Sequence, residues 1–164
     1  MSTHPKPQSG PRIRPAPVRK SIHVGASPAL AFDTFTDGIG RWWPASHKIG
    51  PADLDRPIIE PRQGGRWYER DVDGTECEIG KVLVWDPPAR LVLAWQLGPE
   101  WKYDPDLVTE VEVTFTAEGD GTRVDLEHRD LDRMGDDAPA MREAIDAPGG
   151  WSGLLELYSQ AAGQ

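Results

Sequence analysis

A chain of 164 residues with 38% hydrophobic and 27% charged residues has the make-up of one globular domain with room for two packed layers. No apolar run approaches the ~20 residues of a membrane span, the start lacks a secretory signal, and a lone cysteine, Cys77, excludes a disulfide framework or CxxC site; a cytoplasmic protein is expected. The net charge of −9 is uneven: residues 1–17 hold Lys6, Arg12 and Arg14 and no acid, so the remainder carries 15 basic against 27 acidic residues, or −12. Such a body repels phosphate backbones and anionic lipid, which argues against nucleic acid and membrane partners.

Residues 1–17, with five prolines and little apolar content, read as a disordered tail. Order begins at Val18, where Val18, Ile22 and Val24 share a parity opposite Arg19, Ser21 and His23, as in a half-buried strand. Ser27-Pro28 reads as N-cap and first residue of a short helix packing Leu30, Ala31 and Phe35 inward. Asp37-Gly38 ends it, and a second short helical turn carries Trp42 and Trp43 up to Pro44. Adjacent helical positions lie about 100° apart, so one indole anchors the core while the other faces a groove or cavity. A loop through Ala45-Ser46-His47 runs to Pro57.

Strands follow. Ile58–Glu60 and Arg66–Arg70 precede a hairpin turn at Asp71-Val-Asp-Gly74, and Glu76–Trp85 leads to a stiff Asp86-Pro-Pro88 turn. Leu91, Leu93, Trp95 and Leu97 alternate, as do Val111, Val113 and Phe115, then Val124, Leu126 and His128, with a turn at Glu118–Gly121. These are neighbours in an antiparallel meander with one buried face. Asp137-Ala-Pro139 opens a brief helix bearing Met141, Ala144 and Ile145, broken at Pro148-Gly-Gly150. Trp151, Leu154, Leu155, Tyr158 and Ala162 then form the apolar stripe of a closing helix laid across the sheet.

Dinucleotide, nucleophile-elbow, zinc and P-loop signatures are absent, and no cofactor or metal is expected. His128 continues the inward parity of Val124 and Leu126, where an imidazole beside a cavity would exchange protons near neutral pH; the plainer reading is a histidine bonded to its surroundings. His47 follows the double tryptophan on a loop and reads as a surface residue that could cover a pocket mouth. Glu60, Glu69, Glu76 and Glu78 lie on strands flanking such a pocket. Glu76 and Glu78 share a face, and both faces of their strand are partly apolar, so they are either a buried acid–base pair or solvated charges. His128 and Glu78 are the catalytic candidates. Cys77 reads as a structural thiol, and most tryptophans as core.

Four motifs in order carry a resemblance: Ala31-Phe-Asp-Thr-Phe-Thr-Asp37 with Arg41-Trp-Trp-Pro44; Glu60-Pro-Arg-Gln-Gly-Gly-Arg-Trp67; Gly80-Lys-Val82 running into Trp85-Asp-Pro-Pro-Ala-Arg-Leu-Val92; and Gly150-Trp151. Over residues 18–162 the chain resembles the START-like (SRPBCC) superfamily, and within it the homologues of the heat-shock-protein-90 ATPase activator. The resemblance implies an α+β helix-grip domain: an antiparallel sheet of about seven strands curved around a long C-terminal helix, two short helices after the first strand, and a pocket between sheet and helix. That superfamily includes lipid carriers, polyketide cyclases, hormone receptors and chaperone activators, so fold alone does not choose among functions.

The expected ligand is a small, mostly apolar molecule, aromatic or polyketide-like, held by Trp42 or Trp43, Trp67, Trp95, Trp101, Trp151 and Tyr158 and oriented by Glu60, Glu78 and His128. One alternative is a cyclase, dehydratase or hydrolase using a pocket His or Glu as general acid–base. Another is a chaperone-associated interaction module, which requires an exposed apolar patch near Trp42–Trp43. Either a monomer or a homodimer fits.

Overall fold

The structure is a computed structural model and describes residues 15–163; residues 1–14, most of the expected tail with His4 among them, lie outside the described residues. Seven antiparallel strands form one sheet: β1 (Val18–Val24), β2 (Leu54–Ile59), β3 (Arg66–Asp71), β4 (Glu76–Asp86), β5 (Arg90–Trp95), β6 (Thr109–Glu118) and β7 (Gly121–Arg129). Their order across the sheet is β1-β7-β6-β5-β4-β3-β2, a continuous meander from β2 to β7 closed by β1 pairing with β7. Helix α1 (Pro28–Phe35) follows β1, and α2 (Ala138–Asp146) and α3 (Trp151–Ala162) close the chain. This is the helix-grip arrangement, its C-terminal helical segment lying on the sheet's apolar face.

Local chemistry explains most boundaries. The Ser27 hydroxyl accepts from the Leu30 N–H at 3.2 Å and Pro28 opens α1, as a capped start requires. That helix buries Ala31, Phe32, Thr34 and Phe35 while Leu30 is 54% exposed, so Phe32 replaces Leu30 on the inward face. The turn before the tryptophans is 3-10 over Asp37–Arg41, and the pair falls just past it. Strand β2 begins at Leu54 rather than Ile58 and carries Pro57, which a sheet tolerates at an edge. The stripe of α3 is buried as the spacing predicts.

Curvature is concentrated in β4. Register shifts occur where it pairs with β3, between Trp67 and Tyr68, and where it pairs with β5, between Val82 and Val84. Each bulge bends the strand and resets which side chains face inward. Gly80 lies beside the first, and a β-carbon there would stand 1.7 Å from the Ala94 carbonyl oxygen. Only glycine permits that approach.

Candidate functional site

A cavity of about 240 Å3 lies between the concave face, the α2–α3 turn and the loop after the double tryptophan. Glu69, Ile79, Trp95 and Leu97 form its sheet wall. Ile145, Trp151 and Leu154 form the helix wall, and Trp43, His47 and Ile49 the loop wall. Trp101, Ser46 and Lys48, all exposed, stand at its mouth. The volume falls just under the ~300–1,000 Å3 of small-molecule sites, so it suits a compact, flat ligand. Gly150 makes the helix wall possible, because a β-carbon there would meet the Ile145 carbonyl oxygen at 2.0 Å.

The two adjacent indoles divide between core and cavity, although they lie just past the 3-10 turn rather than on the helical turn the sequence suggested. Trp42 is core: its N–H donates to the Thr34 carbonyl at 2.9 Å and its ring packs against Phe35 and Tyr158. Trp43 lines the cavity and donates its N–H to Glu69 Oε2 at 3.2 Å. From Trp43 an edge-to-face series continues through Trp67 at 6.0 Å to Trp95 at 5.7 Å. Trp95 in turn meets Trp151 at 5.9 Å and Trp101 at 6.5 Å. Trp101 is held there with φ 58° after Glu100 at φ 62°, a left-handed pair that costs non-glycine residues energy. The Trp95 and Trp67 N–H groups are buried and have no acceptor among the described residues.

His128 is fully buried, in a chain of hydrogen bonds that fixes its tautomer. Trp151 donates its N–H to Nδ1 at 3.1 Å, so Nε2 carries the proton and donates to Thr109 Oγ1 at 2.8 Å. Thr109 donates onward to the Trp95 carbonyl at 3.1 Å. Burial pushes the imidazole down to about 3, so it stays neutral at physiological pH. His128 therefore positions Trp151 and Trp95, and with both nitrogens committed it is no acid–base candidate.

The carboxyl group at the cavity is Glu69. It is fully buried on β3, accepting from the Ile49 N–H at 2.9 Å through Oε1 and from Trp43 through Oε2. Burial raises its pKa, the two hydrogen bonds lower it, the Asp71 charge raises it, and His47 lowers it; the net direction is upward. His47 stands 5.9 Å from the Trp43 ring and hydrogen-bonds the Gly149 carbonyl at 2.6 Å, joining the loop wall to the helix wall. Behind Glu69, Asp71 is buried with neither oxygen partnered among the described residues, and burial pushes the nearby Cys77 thiol up.

The cavity thus gathers Trp43, Trp95, Trp101 and Trp151 of the predicted residues. Trp67 backs the array without lining the cavity, and Tyr158 is core, donating its hydroxyl to the Ala31 carbonyl at 2.7 Å. Glu78 and Glu76 lie on the outer face, ion-paired to Arg66, so neither is a pocket acid. Glu60 accepts from the Arg66 N–H at 2.8 Å, away from the cavity. Trp42 and Trp43 are 4% and 7% exposed, so the pair offers no exposed patch to a partner. Glu69, one of the four glutamates expected on strands beside the pocket, and His47, expected on the loop near its mouth, both line the cavity; the parity of Trp67, Glu69 and Asp71 on β3 carried the signal for the first. Among the described residues no cluster of three or more His, Cys, Asp or Glu is placed to hold a metal, and no helix is long and apolar enough to cross a membrane.

A family model described as Activator of Hsp90 ATPase homolog 1-like protein matches residues 25–157. Among solved structures, the anthrahydroquino-gamma-pyrone synthase Txn09, complexed with SUM, is 40% identical, with TM-score 0.63 over 89% of this chain and 96% of that one. The self-sacrificing resistance protein CalC from Micromonospora echinospora is 36% identical, with TM-score 0.64 over 88% and 92%. The Aha1 dimer from Colwellia psychrerythraea, at 16% identity and TM-score 0.59 over 89% and 95%, shares the fold. No curated protein matches significantly.

Proposed function

This chain belongs to the Activator of Hsp90 ATPase homolog 1-like family, and on that footing we propose that it binds a flat, polycyclic aromatic small molecule, of polyketide type, in the tryptophan-walled cavity. The observation that carries this is the wall itself: Trp43, Trp95, Trp101 and Trp151 border one cavity of about 240 Å3. Indole faces and edges favour stacked and edge-on contact with an aromatic guest, at ~0.5–1.5 kcal/mol per ring pair beyond burial. A hydroxylated anthraquinone is the first probe, because the relative at 40% identity is an anthrahydroquino-gamma-pyrone synthase. The test is titration followed by tryptophan fluorescence. Saturable quenching at micromolar probe, weakened about tenfold or more in Trp43→Ala, supports the reading; an unchanged affinity in that variant overturns it.

A second reading has its own observation, the buried Glu69 carboxyl with its raised pKa at the cavity wall. A carboxyl that holds its proton more tightly than usual acts as a general acid toward an oxygen of the bound compound and, once ionised, as a base. Glu69→Gln then abolishes turnover of a hydroxylated anthraquinone or its hydroquinone while leaving its binding within a fewfold. Absence of any turnover by the native protein leaves binding alone as the function.

A further inference from the structure

A second concave surface lies across the sheet edge from the cavity. It is a groove of about 570 Å3 between the 3-10 turn at Asp37–Arg41 and strands β2 and β3. Arg41, Arg56 and Arg70 all line it. Two observations separate these arginines from ordinary surface charge. First, Arg41 and Arg56 have no carboxylate partner among the described residues, whereas every other described arginine is ion-paired. Arg41 has only the Thr34 hydroxyl at 3.5 Å and the Ala161 carbonyl at 3.4 Å, and Arg56 makes no side-chain hydrogen bond or ion pair among the described residues. Second, Arg56 and Arg70 are direct cross-strand partners in the β2–β3 ladder. Like charges placed opposite each other destabilise a sheet.

In a chain of net charge −9, with 27 acidic residues available, two unpaired arginines lining one groove, beside an Arg70 that reaches Glu76 only at 3.4 Å, are not a by-product of composition. Of the carboxylates on the groove walls, Glu60 is already held by the Arg62 guanidinium and the Arg66 N–H, leaving Asp37 as the opposing charge. Guanidinium forks match the oxygens of a phosphoryl group in bidentate fashion. The acidic body argues against a polyanion and for a compact one. We propose that this groove is a second ligand site, taking the phosphoryl group of a small phosphorylated molecule between Arg41, Arg56 and Arg70. The remainder of the molecule rests on Ile58 and Pro61, which also line the groove.

The test is thermal unfolding of the full chain with inorganic phosphate and with phenyl phosphate, against sodium chloride at matched ionic strength. Ligand at about five times its Kd raises Tm by roughly 2–4 °C for a chain of this size, and phenyl phosphate reaches that rise at lower concentration than phosphate. Arg56→Gln abolishes the rise and Arg56→Lys retains part of it, since lysine keeps the charge without the fork. Arg56→Gln in the absence of phosphate melts at or above the native protein, because the charge opposite it on β3 is repulsive. The proposal is overturned by a rise that chloride reproduces, by one that persists in Arg56→Gln, or by a ligand-free Arg56→Gln protein less stable than the native chain. Benzoate acting more strongly than phenyl phosphate overturns the phosphoryl assignment.

Discussion

Burial and a complete hydrogen-bond chain hold His128 neutral, and this makes a pH prediction with a definite sign. The unfolded imidazole titrates near 6.5 and the folded one at about 3. Protons therefore bind the unfolded chain preferentially between those values. The His128 contribution to stability is fully present above pH 6.5 and falls as pH drops, by about 1.4 kcal/mol per unit, reaching roughly 2 kcal/mol by pH 5. Glu69 works in the opposite sense: its raised pKa favours the folded state at low pH, an advantage lost as pH rises through its folded value. Urea unfolding at pH 5 to 8 checks the first effect by comparison with His128→Gln, which keeps an acceptor for Trp151 and a donor for Thr109. The stability gap between native and variant protein narrows below pH 6.5; a constant gap would mean that His128 already carries a proton when folded. At this scale the sequence revealed parity but not partners. Inward alternation placed His128 inside, yet nothing local announced that Trp151, 23 positions away, would occupy its Nδ1. Glu69 was equally hidden, because a charged residue is assumed wet until its donors, here a loop N–H and an indole, are known.

At the scale of elements, what could be read depended on whether the pattern was periodic. Strands β6 and β7, with their unbroken alternation, and the α3 stripe were legible to within a residue or two. Strand β4 resisted because its bulges change the period: Ile79 and Val82 are both core although three positions apart. A rule of two cannot follow that, which is why Glu78 had two readings and why its outer-face pairing with Arg66 needed the fold. Strand β2 was truncated because Pro57 reads as a breaker until its edge position is known. The same region yields a prediction about curvature. Gly80→Ala drives a β-carbon against the Ala94 carbonyl, an atom of the β4–β5 ladder that cannot move without breaking it. The expected loss is about 2–4 kcal/mol by denaturant unfolding, against a few tenths for Gly74→Ala in the open β3–β4 turn beyond the cost of its positive φ.

At the scale of the molecule, the aromatic residues form one connected body rather than a core plus a separate site. Trp42 touches Trp43 at 5.9 Å, and from there the rings continue through Trp67 and Trp95 to Trp151 and the exposed Trp101. Trp42 is packed and hydrogen-bonded away from the cavity, whereas Trp101 stands exposed at its mouth, so stability and ligand affinity separate between these two rings. Trp42→Phe removes the bond to the Thr34 carbonyl and part of a filled volume, and lowers stability by about 1–3 kcal/mol with little change in ligand affinity. Trp101→Ala removes a ring that is 42% exposed, leaves stability within about 0.5 kcal/mol, and weakens binding of the anthraquinone probe. Linkage makes the contrast measurable in one experiment, since ligand at 100 times its Kd stabilises the folded state by about 2.7 kcal/mol. Thermal scans with and without probe should show Trp42→Phe with a lowered baseline and an intact ligand-induced rise, and Trp101→Ala with an intact baseline and a reduced rise. If both variants lose baseline and rise together, the array acts as a single structural unit, and the cavity is not the independent binding element proposed for it.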